Sequence, residues 1–148
     1  MNKLIFSCFF ITSLLSGCSM SNLHPKSQYT QHLKNVTINV TKVDRGAIYI
    51  TLLNNTPKPL EINWAKSTIN NKNITKDIVN ELELPIKNTV INPGDTINAT
   101  LYIKENIFYR DPVLYQPGGY QIKDISYPAT LNLLIDNVNN TKTIYFNN

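Results

Sequence analysis

Nucleophilic catalysis on a hydroxyl needs a base held beside it, and the chain offers two histidines, His24 and His32. Both fall in a polar stretch around Pro25 that shows neither hydrophobic period and reads as linker, where nothing can hold an imidazole in geometry. Ser-His chemistry is thereby removed. Paired carboxylates could serve a glycosidase, and Glu81 and Glu83 would share one face of a strand, but two solvated acids on an exposed edge account for them more simply. A calcium loop gathers several acids and carbonyls, whereas Asp111 and Asp136 stand almost alone. The expectation is a protein that is not an enzyme, with no catalytic residue, no metal site and no cofactor.

The remaining reactive groups are the two cysteines, Cys8 and Cys18. They sit in a segment built like a secretory signal: Lys3, then an apolar run from Leu4 through Ile11 to Leu14-Leu15, then the small residues Ser16-Gly17. The run is too short to span a bilayer, which takes about 20 apolar residues. Leu15-Ser16-Gly17-Cys18 resembles the lipobox of bacterial lipoprotein precursors. The resemblance implies cleavage after Gly17 and a diacylglyceryl group on the Cys18 thiol, so that a membrane is the first partner, reached through the N-terminal lipid. Ser19 at mature position two, where Asp would retain the chain, implies the outer membrane in a Gram-negative cell; in a Gram-positive cell the same signal implies the outer face of the plasma membrane. The expected division is residues 1–17 as signal peptide, 18–34 as lipidated N-terminus and flexible linker, and 35–148 as the folded domain. With Cys8 removed and Cys18 lipidated, that domain has no thiol for a disulfide or a metal.

One stretch departs from simple patterning. Between Glu105 and Tyr127, the residues Phe108, Tyr109, Arg110, Tyr115 and Tyr120 cluster around Pro112, Pro117 and Gly118-Gly119 and read as a long structured loop. Tyrosine and arginine join large apolar area to hydrogen-bonding ends and are enriched at protein interfaces, so these five residues form a candidate partner-binding loop. The competing reading folds Phe108 and Tyr115 back over the open end of the domain.

The elements that must hold this loop are strands. Val36, Ile38 and Val40 alternate with Thr37, Asn39 and Thr41, and after a turn at Asp44-Arg45-Gly46 the run Ile48–Leu53 is apolar enough on both faces for a central strand. Leu60, Ile62 and Trp64 make a third strand, with Pro57 and Pro59 at its entrance, where a missing N–H does least harm. Ile74–Ile86 is ambiguous, strand with room for a short helical turn. Asn92-Pro93-Gly94-Asp95 is a turn, with Pro setting φ and Gly supplying a positive one. Ile97–Ile103 follows, and Leu131–Ile135, a polar turn at Asn137–Thr141 and Ile144-Tyr145-Phe146 close the chain. The pattern predicts an all-β fold, an immunoglobulin-like antiparallel β-sandwich of about seven strands, with Trp64 between the sheets.

Ile50–Thr56, Pro59–Trp64 and Ile91–Asp95 together resemble small uncharacterised β-sandwich lipoproteins of the bacterial envelope, in which an asparagine-threonine turn enters a tryptophan strand and is answered by a proline-glycine turn. That likeness implies the fold and no activity. The formal charge of +4 falls to +3 once Lys3 leaves with the signal, and the lysines are scattered rather than striped, which argues against nucleic acid as a partner. The expected function is that of a non-enzymatic envelope lipoprotein binding another envelope protein, or acting as an accessory assembly module. The alternative is a protective lipoprotein, excluding a superinfecting phage or conferring toxin immunity by occlusion or inhibition.

Overall fold

A computed structural model of the chain describes residues 26–30, 36–77 and 86–145. Residues 1–25, among them the stretch read as a signal, Cys18 and His24, lie outside them, as do His32, Glu81, Glu83 and Phe146. The strands, in order, are β1 (Lys26–Thr30), β2 (Val36–Val43), β3 (Ile48–Asn54), β4 (Leu60–Ile69), β5 (Lys72–Lys76), β6 (Thr89–Ile91), β7 (Thr96–Ile103), β8 (Ile107–Arg110), β9 (Gly119–Ile122), β10 (Ala129–Ile135) and β11 (Val138–Tyr145), with a short 3-10 turn over Lys104–Asn106. All pairings are antiparallel.

One layer runs β2-β3-β7-β5 and the other β1-β11-β10-β4, with β6 beside the start of β4. Strand β5 belongs to both: Lys72 and Asn73 pair with Ile69 and Thr68 of β4, and Ile74–Lys76 pair with β7. The layers are thus joined along one side and curl into a half-barrel. Seven strands, β2, β3, β4, β5, β7, β10 and β11, reproduce the immunoglobulin-like partition of four strands against three.

Two-residue periodicity explains the core. Ile48, Ile50 and Leu52 from one layer meet Ile62, Trp64, Leu131, Leu133 and Ile135 from the other, all essentially inaccessible to water. Trp64 takes the inter-sheet position and donates its indole N–H to Thr89 Oγ1 at 2.7 Å, which satisfies the one polar atom its burial would strand. Beyond Trp64 a bulge keeps β4 in phase. The register to β10 shifts between Asn132 and Leu134, Ala65 and Lys66 both face solvent, and Ser67 turns inward again. Its hydroxyl donates to Asn63 O at 2.8 Å and accepts from Leu134 N at 3.0 Å, repairing the ladder the bulge interrupts. On the side away from β5, Lys142 of β11 reaches across the layers and donates from Nζ to Ile38 O of β2 at 2.8 Å; burial pushes its ammonium below the ordinary lysine value.

At one end of the sandwich Asn54 organises two connections, the β3–β4 turn and the β6–β7 turn. Its side-chain amide donates to Lys58 O (2.8 Å) and Ile91 O (2.9 Å), and its Oδ1 accepts from Thr56 N (2.9 Å) and Thr56 Oγ1 (2.7 Å). Its backbone N–H donates to Asp95 O, and its carbonyl accepts from Gly94 N. The asparagine-threonine turn and the proline-glycine turn are therefore two halves of one hydrogen-bonded unit. The latter closes through Asp95 N to Asn92 O at 3.0 Å with Gly94 at φ 80°.

The structure departs from the sequence reading in four places. The loop of residues 105–127 contains strands β8 and β9, because its aromatic residues pair across a ribbon rather than alternate in and out of a core. Lys26–Thr30, within the stretch read as flexible linker, pairs with β11; an edge strand held by backbone bonds needs no hydrophobic period. The last hairpin turns at Asp136-Asn137, both at positive φ, so that β11 starts at Val138. The ambiguous Ile74–Ile86 stretch yields β5 at its start, entered through a second two-residue turn at Asn70-Asn71, again with both φ positive; residues 78–85 lie outside the described residues.

Replacing Asn54 with alanine removes the amide that the buried Ile91 carbonyl, the Thr56 N–H and the Lys58 carbonyl share, leaving Lys58 O only its bond from Thr56 Oγ1, a loss on the order of 3 kcal/mol. Chemical denaturation of Asn54→Ala should show that drop, and Asn55→Ala, at an exposed neighbour, should unfold almost like the parent.

Candidate functional site

The five aromatic and arginine residues singled out from the sequence come together on one ribbon. Strands β8 and β9 pair over Ile107–Ile122, Phe108–Gln121, Tyr109–Tyr120 and Arg110–Gly119. Successive residues of a strand point to opposite faces, yet Phe108, Tyr109 and Arg110 on β8 and Tyr120, Gln121 and Ile122 on β9 are all exposed. A ribbon exposed on both faces stands off the body rather than lying upon it. Tyr109 and Tyr120 meet edge to face, centroids 5.4 Å apart at 76°, and Lys123 Nζ lies 5.4 Å above the Phe108 ring.

Past Arg110 the ribbon closes on a tight turn. Val113 and Gln116 exchange backbone bonds of 3.1 and 2.9 Å, leaving Leu114 and Tyr115 at the apex, 93% and 99% exposed. Leu114 takes φ 46°, a left-handed conformation that costs a non-glycine residue about 1 kcal/mol or more. Gly118 is required by crowding: a β-carbon there would fall 2.6 Å from Tyr109 Oη and 3.0 Å from Arg110 O. The fold-back of Phe108 and Tyr115 does not occur. Ile125 covers that end of the core instead, 4% exposed.

The base of the ribbon is fastened by polar groups. Asn106 is buried, donating from Nδ2 to Lys123 O (3.2 Å) and Asp124 O (3.1 Å) and accepting Lys123 N at its carbonyl (2.9 Å). Ile125 N donates to Arg45 O, and Tyr127 Oη donates to Asp44 O at 2.9 Å. Asp44 shapes the facing turn, its Oδ1 accepting Gly46 N and Ala47 N and its Oδ2 accepting Tyr49 Oη. Ile122 packs so closely on Gly46 that a β-carbon there would stand 2.8 Å from its Cγ2. Burial first, and then the Asp44 and Asp124 carboxylates, push the Tyr127 hydroxyl well above the ordinary tyrosine value.

Sequence reasoning placed Phe108, Tyr109, Arg110, Tyr115 and Tyr120 in this region and missed Val113 and Leu114, whose signal was an uncharged apolar run between two prolines. It also missed Asn106 and Ile122, the anchors. Cys18 lies outside the described residues. Elsewhere, shallow depressions among the described residues include one of about 170 Å³ on the outer face of β2, β3 and β7 around Thr41, Tyr49 and Asn98, and a polar one of about 210 Å³ between Glu61, Asn88 and Asp136. In the second, both carboxylates are engaged, Glu61 Oε1 by Asn88 Nδ2 (2.7 Å) and Asp136 Oδ1 by Glu61 N (2.8 Å). Among the described residues no three His, Cys, Asp or Glu side chains gather as a metal site. Compared with protein families, curated proteins and solved structures, the chain matches none.

Two outcomes follow from the anchoring. Tyr127→Phe should lose about 1 kcal/mol at pH 8, where the parent hydroxyl is neutral in both states and donates to Asp44 O. Because the folded-state value lies above the unfolded value of 10, this contribution is intact below pH 10 and fades above it. Denaturation at rising pH should show the gap between parent and variant narrowing past that point. Gly118→Val should disturb the Tyr109–Tyr120 pair, seen as altered tyrosine resonances, while the unfolding midpoint stays close to the parent's.

Proposed function

We propose that this protein is a non-enzymatic lipoprotein of the bacterial envelope, held to a membrane by lipid on Cys18, whose sandwich carries the β8–β9 ribbon as a contact arm for another envelope protein. The observation that supports the reading is the ribbon itself. An arm fixed at its base by Asn106, Ile125 and Tyr127 presents Phe108, Tyr109, Arg110, Tyr115 and Tyr120 to solvent on both faces, at an unfavourable exposure that a bound partner relieves. These are the residue types that carry most binding energy when they enter a pocket. A preorganised arm also avoids much of the ordering cost that a free loop meets on association.

The lipid anchor follows from the sequence of Leu15-Ser16-Gly17-Cys18, with Ser19 directing the chain to the outer membrane of a Gram-negative cell. Tethering raises the local concentration of the arm along the membrane, so that a modest intrinsic affinity suffices.

Photocrosslinking in living cells, with the reactive group at Tyr109 or Tyr120 and a control at Asn132 on β10, tests the arm. One envelope protein captured from the ribbon and not from Asn132 is the expected result; equal capture from all positions would remove the ribbon as the contact. Cys18→Ser should release the chain from the membrane fraction, checked by mass of the N-terminal peptide and by fractionation.

A further inference from the structure

The ribbon and the start of β1 lie at the same end of the sandwich. In β1, Lys26 stands opposite Tyr145 and Ser27 opposite Ile144, and Ile144 pairs in turn with Ala129 at the start of β10. The residues just before Ala129 close the base of the ribbon, Tyr127 on Asp44 and Ile125 on Arg45. Eight steps of chain separate Cys18 from Lys26, at most about 29 Å when extended. The ribbon from Ile107 to Leu114 covers seven steps, about 23 Å as a strand. A bilayer that holds the Cys18 lipid is therefore kept within a distance comparable with the ribbon's own reach.

We infer that the apex Val113-Leu114-Tyr115 inserts into the interfacial layer of the membrane that carries the Cys18 lipid. The inference rests on the lipoprotein reading and deepens it. Val113, Leu114 and Tyr115 are 53%, 93% and 99% exposed, and no charged residue lies between Pro112 and Pro117. Tyrosine is favoured at the membrane–water interface, and leucine gains from apolar surroundings. Val113 and Gln116 satisfy each other's backbone groups, which entry into a poorly hydrated layer requires. Below the apex, Arg110, paired with Gly119 at the end of the ladder, stands at the height of lipid phosphates, where a long basic side chain keeps its charge wet, with Asp111 at the same level beside it. The shank, with Tyr109 and Tyr120, stays above the lipid, free to meet a protein embedded in the same membrane. An acyl anchor alone fixes position and leaves the domain free to tumble; a second contact at the apex fixes its orientation.

The test uses the full lipidated chain, in which Tyr115→Cys or Val90→Cys supplies the single free thiol for a polarity-sensitive fluorophore. Val90 is 58% exposed on β6, at the opposite end. Chains are floated with phosphatidylethanolamine–phosphatidylglycerol vesicles containing spin-labelled lipid. The expected result is blue-shifted, lipid-quenched emission at position 115 and water-like, unquenched emission at position 90. Water-like emission at both positions in chains that float would overturn the insertion and leave the apex to a protein contact. Chains that fail to float would overturn the Cys18 anchor and this inference with it, an outcome read from flotation alone.

Discussion

Strand ladders satisfy their own backbone groups, but where strands end inside a sandwich the polar atoms of the connections must find partners without water. Here a buried asparagine meets that constraint at each end. Asn54 binds the β3–β4 turn to the β6–β7 turn, and Asn106 binds the end of β7 to the chain leaving β9. The amide suits the task because it offers two donors and an acceptor on a short stem, so one side chain serves several carbonyls and N–H groups. Neither position tolerates an apolar replacement of similar size without stranding those groups.

The two ends use the same device for different results. Around Asn54 the connections are short and fold on themselves, giving a closed cap. Around Asn106 the connection from β7 to β10 carries an excursion of some twenty residues, and the amide pins the two ends of that excursion together. With its base fixed, the ribbon needs no core of its own to hold its place. Its exposure is thereby separated from the stability of the domain, which rests on Trp64 and the aliphatic residues around it.

The fold was legible because it depends on local periodicity. Ile48-Ile50-Leu52 and Leu131-Leu133-Ile135 alternate cleanly, and Trp64 at the centre of the third strand follows from the same count. What was not legible depends on partners distant in sequence. The aromatic run from Phe108 to Ile122 has no inward face, so the pattern that marks strands elsewhere is missing although the backbone pairs fully. Lys26–Thr30 pairs with an edge supplied more than a hundred residues later. The extension of β4 to Ile69 requires a bulge whose signature, two exposed residues before Ser67, resembles the end of a strand. The candidate arm was found by composition, its apex was not, and the anchors Asn106 and Ile122 look like any polar or apolar residue until the facing turn at Asp44–Gly46 is in place.

The β1–β11 pairing has a further consequence for how copies of this chain meet one another. In an open sandwich the outer strands offer rows of unpaired backbone groups to any neighbour, and molecules crowded on a surface meet far more often than in bulk. In this chain β1 occupies the outer side of β11, and at the other border β2 is broken by a bulge between Val40 and Lys42, with Lys42 exposed. Neither border is a long, flat template, so copies of the domain that meet find little edge on which to extend one another's sheets side by side.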